Sequence, residues 1–212
     1  MDFKELLALV EDEPVFETGL LLAGSVDVDN VRLQLGRWTK SGKLYQLRRG
    51  LYALAPPYQK VRPHPFLVAN RLQRASYVSC QSALSFYGLI PEIVQVTTSV
   101  TTGRPAVRET LLGRFSYRHV KLTLLRGYRM LDFDGQQALV ARPEKALLDL
   151  VYLASKGDTL AYLRGLRLQN LDRLDVDVLH EQAEVFGLPK MGRAVEEIES
   201  LMQIEREEYV NL

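Results

Sequence analysis

The 212-residue chain predicts an α+β protein: helices and a hairpin at the N-terminus, a mixed α+β region after them, and a helical C-terminus. Three observations carry that prediction. A helical pattern near residues 28–41 runs directly into two short apolar segments separated by a glycine. The stretch Ala55 to Pro65, with Pro56, Pro57, Pro63 and Pro65, then breaks all apolar periodicity. Beyond it, strand-like segments rich in Val, Thr and Tyr come first, and helical spacing dominates from Thr159 onward.

Taken in order, Asp2 to Val10 places Phe3, Leu6, Leu7 and Val10 at helical spacing, and Pro14 closes that helix. Glu17 to Leu22 reads as a second short helix ended by Ala23-Gly24. A third runs from about Val28 to Ser41, with Ser25 or Asp27 available as its cap and Gly42 as its stop. Gly36 inside it costs about 1 kcal/mol relative to Ala. Val28, Val31, Leu35 and Trp38 form one apolar stripe, while Asn30, Leu33, Gln34, Arg37, Lys40 and Ser41 fall roughly opposite. Leu44 to Leu47 and Leu51 to Leu54 then pair across Arg48-Arg49-Gly50, where Gly50 supplies the positive φ of a tight turn. Helix, helix, amide-and-cation helix and basic-tipped hairpin is the order of a winged helix-turn-helix, which we place at residues 1–56.

The chemistry of that face suits DNA. A major groove about 12 Å wide admits one helix; Asn and Gln pair with adenine, Arg forks onto guanine, and an exposed Leu touches the thymine methyl. Arginines at a hairpin tip reach phosphates or the minor groove.

Residues 57–212 read as a second, mixed domain. Phe66 to Arg74 is helical, Tyr77 to Ser79 extended, and Gln81 to Tyr87 helical up to Gly88. Val94 to Thr101, Phe115 to Val120 and Tyr128 to Phe133 are strand candidates, and Asp134-Gly135 is a hairpin turn into Gln137 to Val140. Pro143 opens a helix at the position where its missing N–H does no harm. Its Ala146, Leu147 and Leu150, alternating with Glu144 and Asp149, fit a helix laid on a sheet. The remaining helices break near Asn170 and at Gly187-Leu188-Pro189.

Composition excludes several classes. Hydrophobic residues make up 47% and charged residues 25%, so long disorder is not expected. Cys80 stands alone, so no intrachain disulfide forms, and the expected role is a small buried side chain in a reducing cytoplasm. No apolar run reaches the roughly 20 residues of a membrane span, and the polar, acidic start is unlike a signal peptide. Net charge is only +1, but it is unevenly spread. Val31 to Pro65 holds Arg32, Arg37, Lys40, Lys43, Arg48, Arg49, Lys60 and Arg62 with no acid, and the acid-free run continues through Arg71 and Arg74 to Pro91. Such a run fits a polyanion. Acidic residues crowd the chain before it and again from Glu196 to Glu208.

Three stretches in order, Lys43 to Leu54 (KLYQLRRGLYAL), Ser82 to Glu92 (SALSFYGLIPE) and Pro143 to Leu150 (PEKALLDL), resemble the AbiEi-type antitoxin family of abortive-infection and toxin–antitoxin systems. The resemblance covers roughly residues 1 to 155. It implies an N-terminal winged helix that binds inverted repeats of duplex DNA in its own promoter and represses the operon. It also implies a C-terminal domain that counteracts a nucleotidyltransferase-like toxin without needing a stable complex. Carried over by position, the DNA-binding set is Asn30, Gln34, Arg37, Lys40, Lys43, Arg48 and Arg49. Asp27 and Asp29 sit awkwardly at the start of that helix: they cap it, or accept from cytosine amino groups, and they repel phosphate.

Enzyme chemistry finds little support. Gly24-Ser25-Val26-Asp27-Val28-Asp29 contains the ingredients of a nucleotidyltransferase metal site, but in that family about a helix separates the turn from the carboxylates, and here only Val26 does. Leu174 to Val178 alternates correctly but has no Gly-Ser turn upstream. His64, His119 and His180 are scattered, and there is no Walker A loop, dinucleotide fingerprint or nucleophile elbow. The expectation is a non-enzymatic regulator without cofactor or metal. The rivals are a winged helix used only for protein contacts and, further off, a nucleotidyltransferase.

Overall fold

The computed structural model describes residues 1–22 and 27–210. The Ala23-Gly24 break, the candidate cap Ser25 and the Gly-Ser part of the metal-site pattern lie outside the described residues. The protein is α+β. α1 (Phe3–Val10) begins at Asp2, whose carboxylate accepts from Glu5 N while the Glu5 carboxylate accepts from Asp2 N, satisfying two otherwise orphaned donors. β1 (Phe16–Glu17) and a 3-10 helix (Thr18–Leu22) replace the second α-helix expected from sequence. The reason is pairing: Phe16 and Glu17 add to a strand of the later hairpin, and Thr18 N donates to Gly50 O at 3.0 Å. α2 (Val28–Lys40) follows, then β2 (Leu44–Arg48) and β3 (Leu51–Leu54), giving a three-stranded sheet in the order β1-β3-β2.

Two apolar cores result, and the hairpin serves both. Leu6, Val10, Phe16, Leu21, Val31, Leu35 and Trp38 form the smaller core with Leu44, Tyr52 and Leu54. Leu47, Leu51 and Ala53 point the other way, into the larger core. Alternation along β3 therefore buries every one of its residues, as expected of a strand covered on both faces. The proline-rich stretch after it is anchored along its length. Ala55 N donates to Lys43 O, Tyr58 meets the Phe3 ring edge-on, and Gln136 bonds both His64 N and Arg62 O.

α3 (Pro65–Leu72), β4 (Ser76–Val78), α4 (Cys80–Phe86), β5 (Val96–Thr101), β6 (Ala106–Thr110), β7 (Gly113–His119), β8 (Tyr128–Phe133) and β9 (Gln136–Ala141) build the larger unit. Its six-stranded mixed sheet runs β6-β7-β5-β4-β9-β8, with β5–β7 and β4–β9 parallel. The β8–β9 turn matches its sequence: Asp134 and Gly135 both take positive φ, 53° and 83°, the requirement of a two-residue hairpin turn. α5 (Pro143–Leu153), α6 (Leu160–Gly165), α7 (Val176–Phe186) and α8 (Pro189–Val210) complete the chain. Asn170 and Gly187 are left-handed at the predicted breaks. No helix among the described residues is long and apolar enough to cross a membrane.

The motifs of the second half hold this architecture together. Ser82 Oγ donates to Val96 O and accepts from Thr98 N, Ser85 Oγ donates to Glu92 O, and Leu89 N closes the end of α4 on Leu84 O. α5 is enclosed more fully than a helix laid on one sheet face alone, with Glu144 through Val151 all buried. Glu144 accepts from Asp175 N, at the cap of α7. Lys145 pairs with Asp149 one turn on, and Asp149 also accepts from Ser79 Oγ at 2.7 Å and Tyr77 Oη at 3.0 Å. Burial pushes the Asp149 carboxyl above the ordinary range, against the opposing pull of Lys145, Ser79 and Tyr77.

Candidate nucleic-acid interface

α2 owes its start to Asp27, whose Oδ1 accepts from Asp29 N at 3.0 Å and Asn30 N at 3.2 Å. The first carboxylate is thus a cap. The second, Asp29, lies 3.4 Å from Arg32 Nη1 on an exposed flank. Val31, Leu35 and Trp38 face the core as their spacing requires, while Val28 at the first turn is left 39% exposed. Ser41 N bonds Arg37 O, and Gly42 at φ 72° lets the chain turn into β2.

The opposite face carries the expected set. Asn30, Arg37 and Lys40 are exposed, Gln34 is half-buried, and Leu33 is 54% exposed between them. Among the described residues, no acidic side chain pairs with Arg37 or Lys40. One helix face therefore presents two amides, two cations without acidic partners among the described residues and one apolar side chain, while Trp38 and Leu35 on the opposite face are buried.

The hairpin is arranged differently from its sequence reading. Lys43 is half-buried and lies 4.5 Å from the centre of the Phe3 ring, so part of its work is packing. Arg48 turns inward. Alternation along β2 puts Leu47 into the larger core, the register shifts between Gln46 and Arg48, and Arg48 donates from Nη2 to Glu17 Oε1 at 3.1 Å. It also reaches Arg71 O at the end of α3 from Nε and Nη2, both at 3.2 Å. An arginine with these bonds clamps the hairpin to the larger unit and does not extend from its tip. Arg49 beside it is exposed, with no acidic partner among the described residues. The structure thus gathers Asn30, Gln34, Arg37 and Lys40 on one helix face, leaves Arg49 free at the turn, and diverts Lys43 and Arg48 to structural contacts.

The acid-free run is also less positive in space than in sequence. Glu17 takes Arg48 and Arg74, Glu11 takes Lys60, and Asp29 takes Arg32. Arg37, Lys40, Arg49, Arg62 and Arg71 keep no acidic partner among the described residues. Linear charge counting missed this because the neutralising carboxylates come from the acidic N-terminal segment.

The carboxylates and histidines of the candidate enzyme patterns that fall among the described residues make other contacts. Asp27 is a helix cap, and Asp175 caps α7 by accepting from Val178 N. His64 caps α3, His119 Nδ1 lies 3.1 Å from Gly103 O, and His180 meets Glu199. No group of three His, Cys, Asp or Glu among the described residues is arranged to hold a metal. No family model matches the chain, and no curated protein matches it.

Proposed function

We propose that residues 1–56 are a winged helix-turn-helix that reads duplex DNA, and that the protein is an AbiEi-like antitoxin that represses its own operon. The observation that carries the DNA-binding reading is the outer face of α2: Asn30, Leu33, Gln34, Arg37 and Lys40 displayed together, the cations without acidic partners among the described residues, on a helix whose opposite stripe is buried. Amides and arginine on one exposed face are the side chains that discriminate base edges in a major groove. The antitoxin part rests on the three family-like stretches, and the second domain, 57–212, would counteract the nucleotidyltransferase-like toxin.

A mobility-shift titration of the upstream promoter DNA tests the first part. Wild type binds the promoter over unrelated DNA, Arg37→Ala/Lys40→Ala/Arg49→Ala loses that binding while staying folded, and equal binding by both proteins overturns the reading. Co-expression with the nucleotidyltransferase-like protein encoded alongside tests the second. The triple variant, defective on DNA, still restores growth; failure of wild type to do so removes the antitoxin role and leaves the DNA reader standing.

A further inference from the structure

The segment leading into β8, the start of α5 and one face of α7 enclose a cavity of about 290 Å³, of a size for one small molecule. Its lining is chemically divided. Leu124, Val185 and Phe186 give it an apolar wall, while Arg126 and Arg142 stand on adjoining backbone, linked where Arg142 N donates to Gly127 O at 2.9 Å. Both arginines are exposed, and neither has an acidic partner among the described residues. Glu181 adds one carboxylate, and the Lys145 stem lies against Gly127 with its ammonium already matched to Asp149. The lining therefore retains an excess of positive charge. Deeper in, Gln182 Oε1 is buried with no hydrogen-bond partner among the described residues, the kind of orphaned acceptor that folded proteins rarely leave.

We propose that this cavity binds a phosphomonoester with an apolar or aromatic body and an N–H donor, the composition of a nucleoside monophosphate. Two guanidinium groups match the phosphate oxygens, the body lies along Phe186, and the donor satisfies Gln182 Oε1. The site lies in the larger unit, outside the proposed DNA-reading face, and stands or falls separately from it.

Calorimetric titration of the full chain with each of the four common ribonucleoside monophosphates, the matching nucleosides and inorganic phosphate tests the proposal. At least one monophosphate binds, and its nucleoside and free phosphate bind at least tenfold more weakly. Arg126→Ala and Arg142→Ala each weaken it about tenfold, the usual order for a lost charged hydrogen bond. Gln182→Leu weakens the monophosphate but leaves the melting temperature unchanged or higher, because the orphaned acceptor is gone. Arg37→Ala/Lys40→Ala leaves nucleotide binding unchanged. Absence of monophosphate binding at millimolar concentration overturns the proposal. So do phosphate binding as tightly as the monophosphate, affinity untouched in both single arginine variants, and loss of affinity in Arg37→Ala/Lys40→Ala.

Discussion

Arg48 Nη2 lies 3.1 Å from Glu17 Oε1, and Arg74 Nη2 closes on the same side chain at 3.0 Å from Oε2. One carboxylate therefore holds the tip of the N-terminal hairpin and the segment after α3 together. Glu17 can do so because β1 pairs with β3 and sets its residue opposite Leu51, next to the turn. The clamp fixes how the small unit sits on the large one, and it subtracts a cation from the hairpin tip.

Replacing that carboxylate has two expected effects. Glu17→Gln keeps the shape but removes the charge, and lowers stability by about 1 kcal/mol, the scale of a partly exposed ion pair with good hydrogen bonds. The urea midpoint falls with little change in slope. Affinity for DNA rises at low salt, because Arg48 and Arg74 lose their neutralising partner. Unchanged stability would show that the Arg71 carbonyl alone suffices to hold Arg48.

Salt dependence separates the inward arginine from the outward cations. If Arg37, Lys40 and Arg49 each neutralise one phosphate, their joint replacement by Ala flattens the plot of log affinity against log salt by about 0.9 per contact, roughly 2.7 in all. Arg48→Ala barely alters the slope and instead costs stability. Parallel plots for wild type and the triple variant would place the protein's phosphate contacts elsewhere.

What the sequence disclosed was what local chemistry decides. The stripe Val31-Leu35-Trp38, the turn glycine Gly50, the Asp134-Gly135 hairpin and the helix break near Asn170 all follow from residues within a few positions of one another. β6 escaped because an edge strand of Arg, Glu and Thr with Val107 exposed carries little alternation. β1 escaped because two residues hold no period at all. At the candidate site, the face of α2 was legible from helical geometry, but the direction of Arg48 was not. Its partners Glu17 and Arg71 lie 31 and 23 residues away, and only the folded sheet brings them together.

The Lys145–Asp149 pair gives a sharper test of stability. Both side chains are buried, Asp149 completely, so removing one partner strands a charge away from water. Lys145→Met should cost about 3–5 kcal/mol. Lys145→Met/Asp149→Asn should recover much of that, because a neutral amide oxygen still accepts from Ser79 and Tyr77 without carrying charge into the core. Urea denaturation of the two variants decides it. Equal losses in the single and double variants would mean that shape, and not charge, is what the site requires.

Alkaline pH should destabilise the fold, and Cys80 shows why. Burial first, and then the Asp149 carboxylate, push its thiol from 9.0 up to about 12. The Tyr77 and Tyr117 hydroxyls are driven upward as well, chiefly by burial. Between the ordinary value of each group and its raised one, the unfolded chain has lost the proton while the folded chain keeps it. The folded state binds more protons there, so unfolding free energy falls as pH rises, starting near pH 9 with the thiol. Urea midpoints taken at pH 8, 9.5 and 10.5 should decline in that order, and Cys80→Ala should flatten the first part of the decline. The same burial predicts that iodoacetamide leaves Cys80 largely unmodified in the native protein at pH 8 and alkylates it readily in urea. Rapid alkylation of the native chain would show that the start of α4 opens far more often than its packing implies.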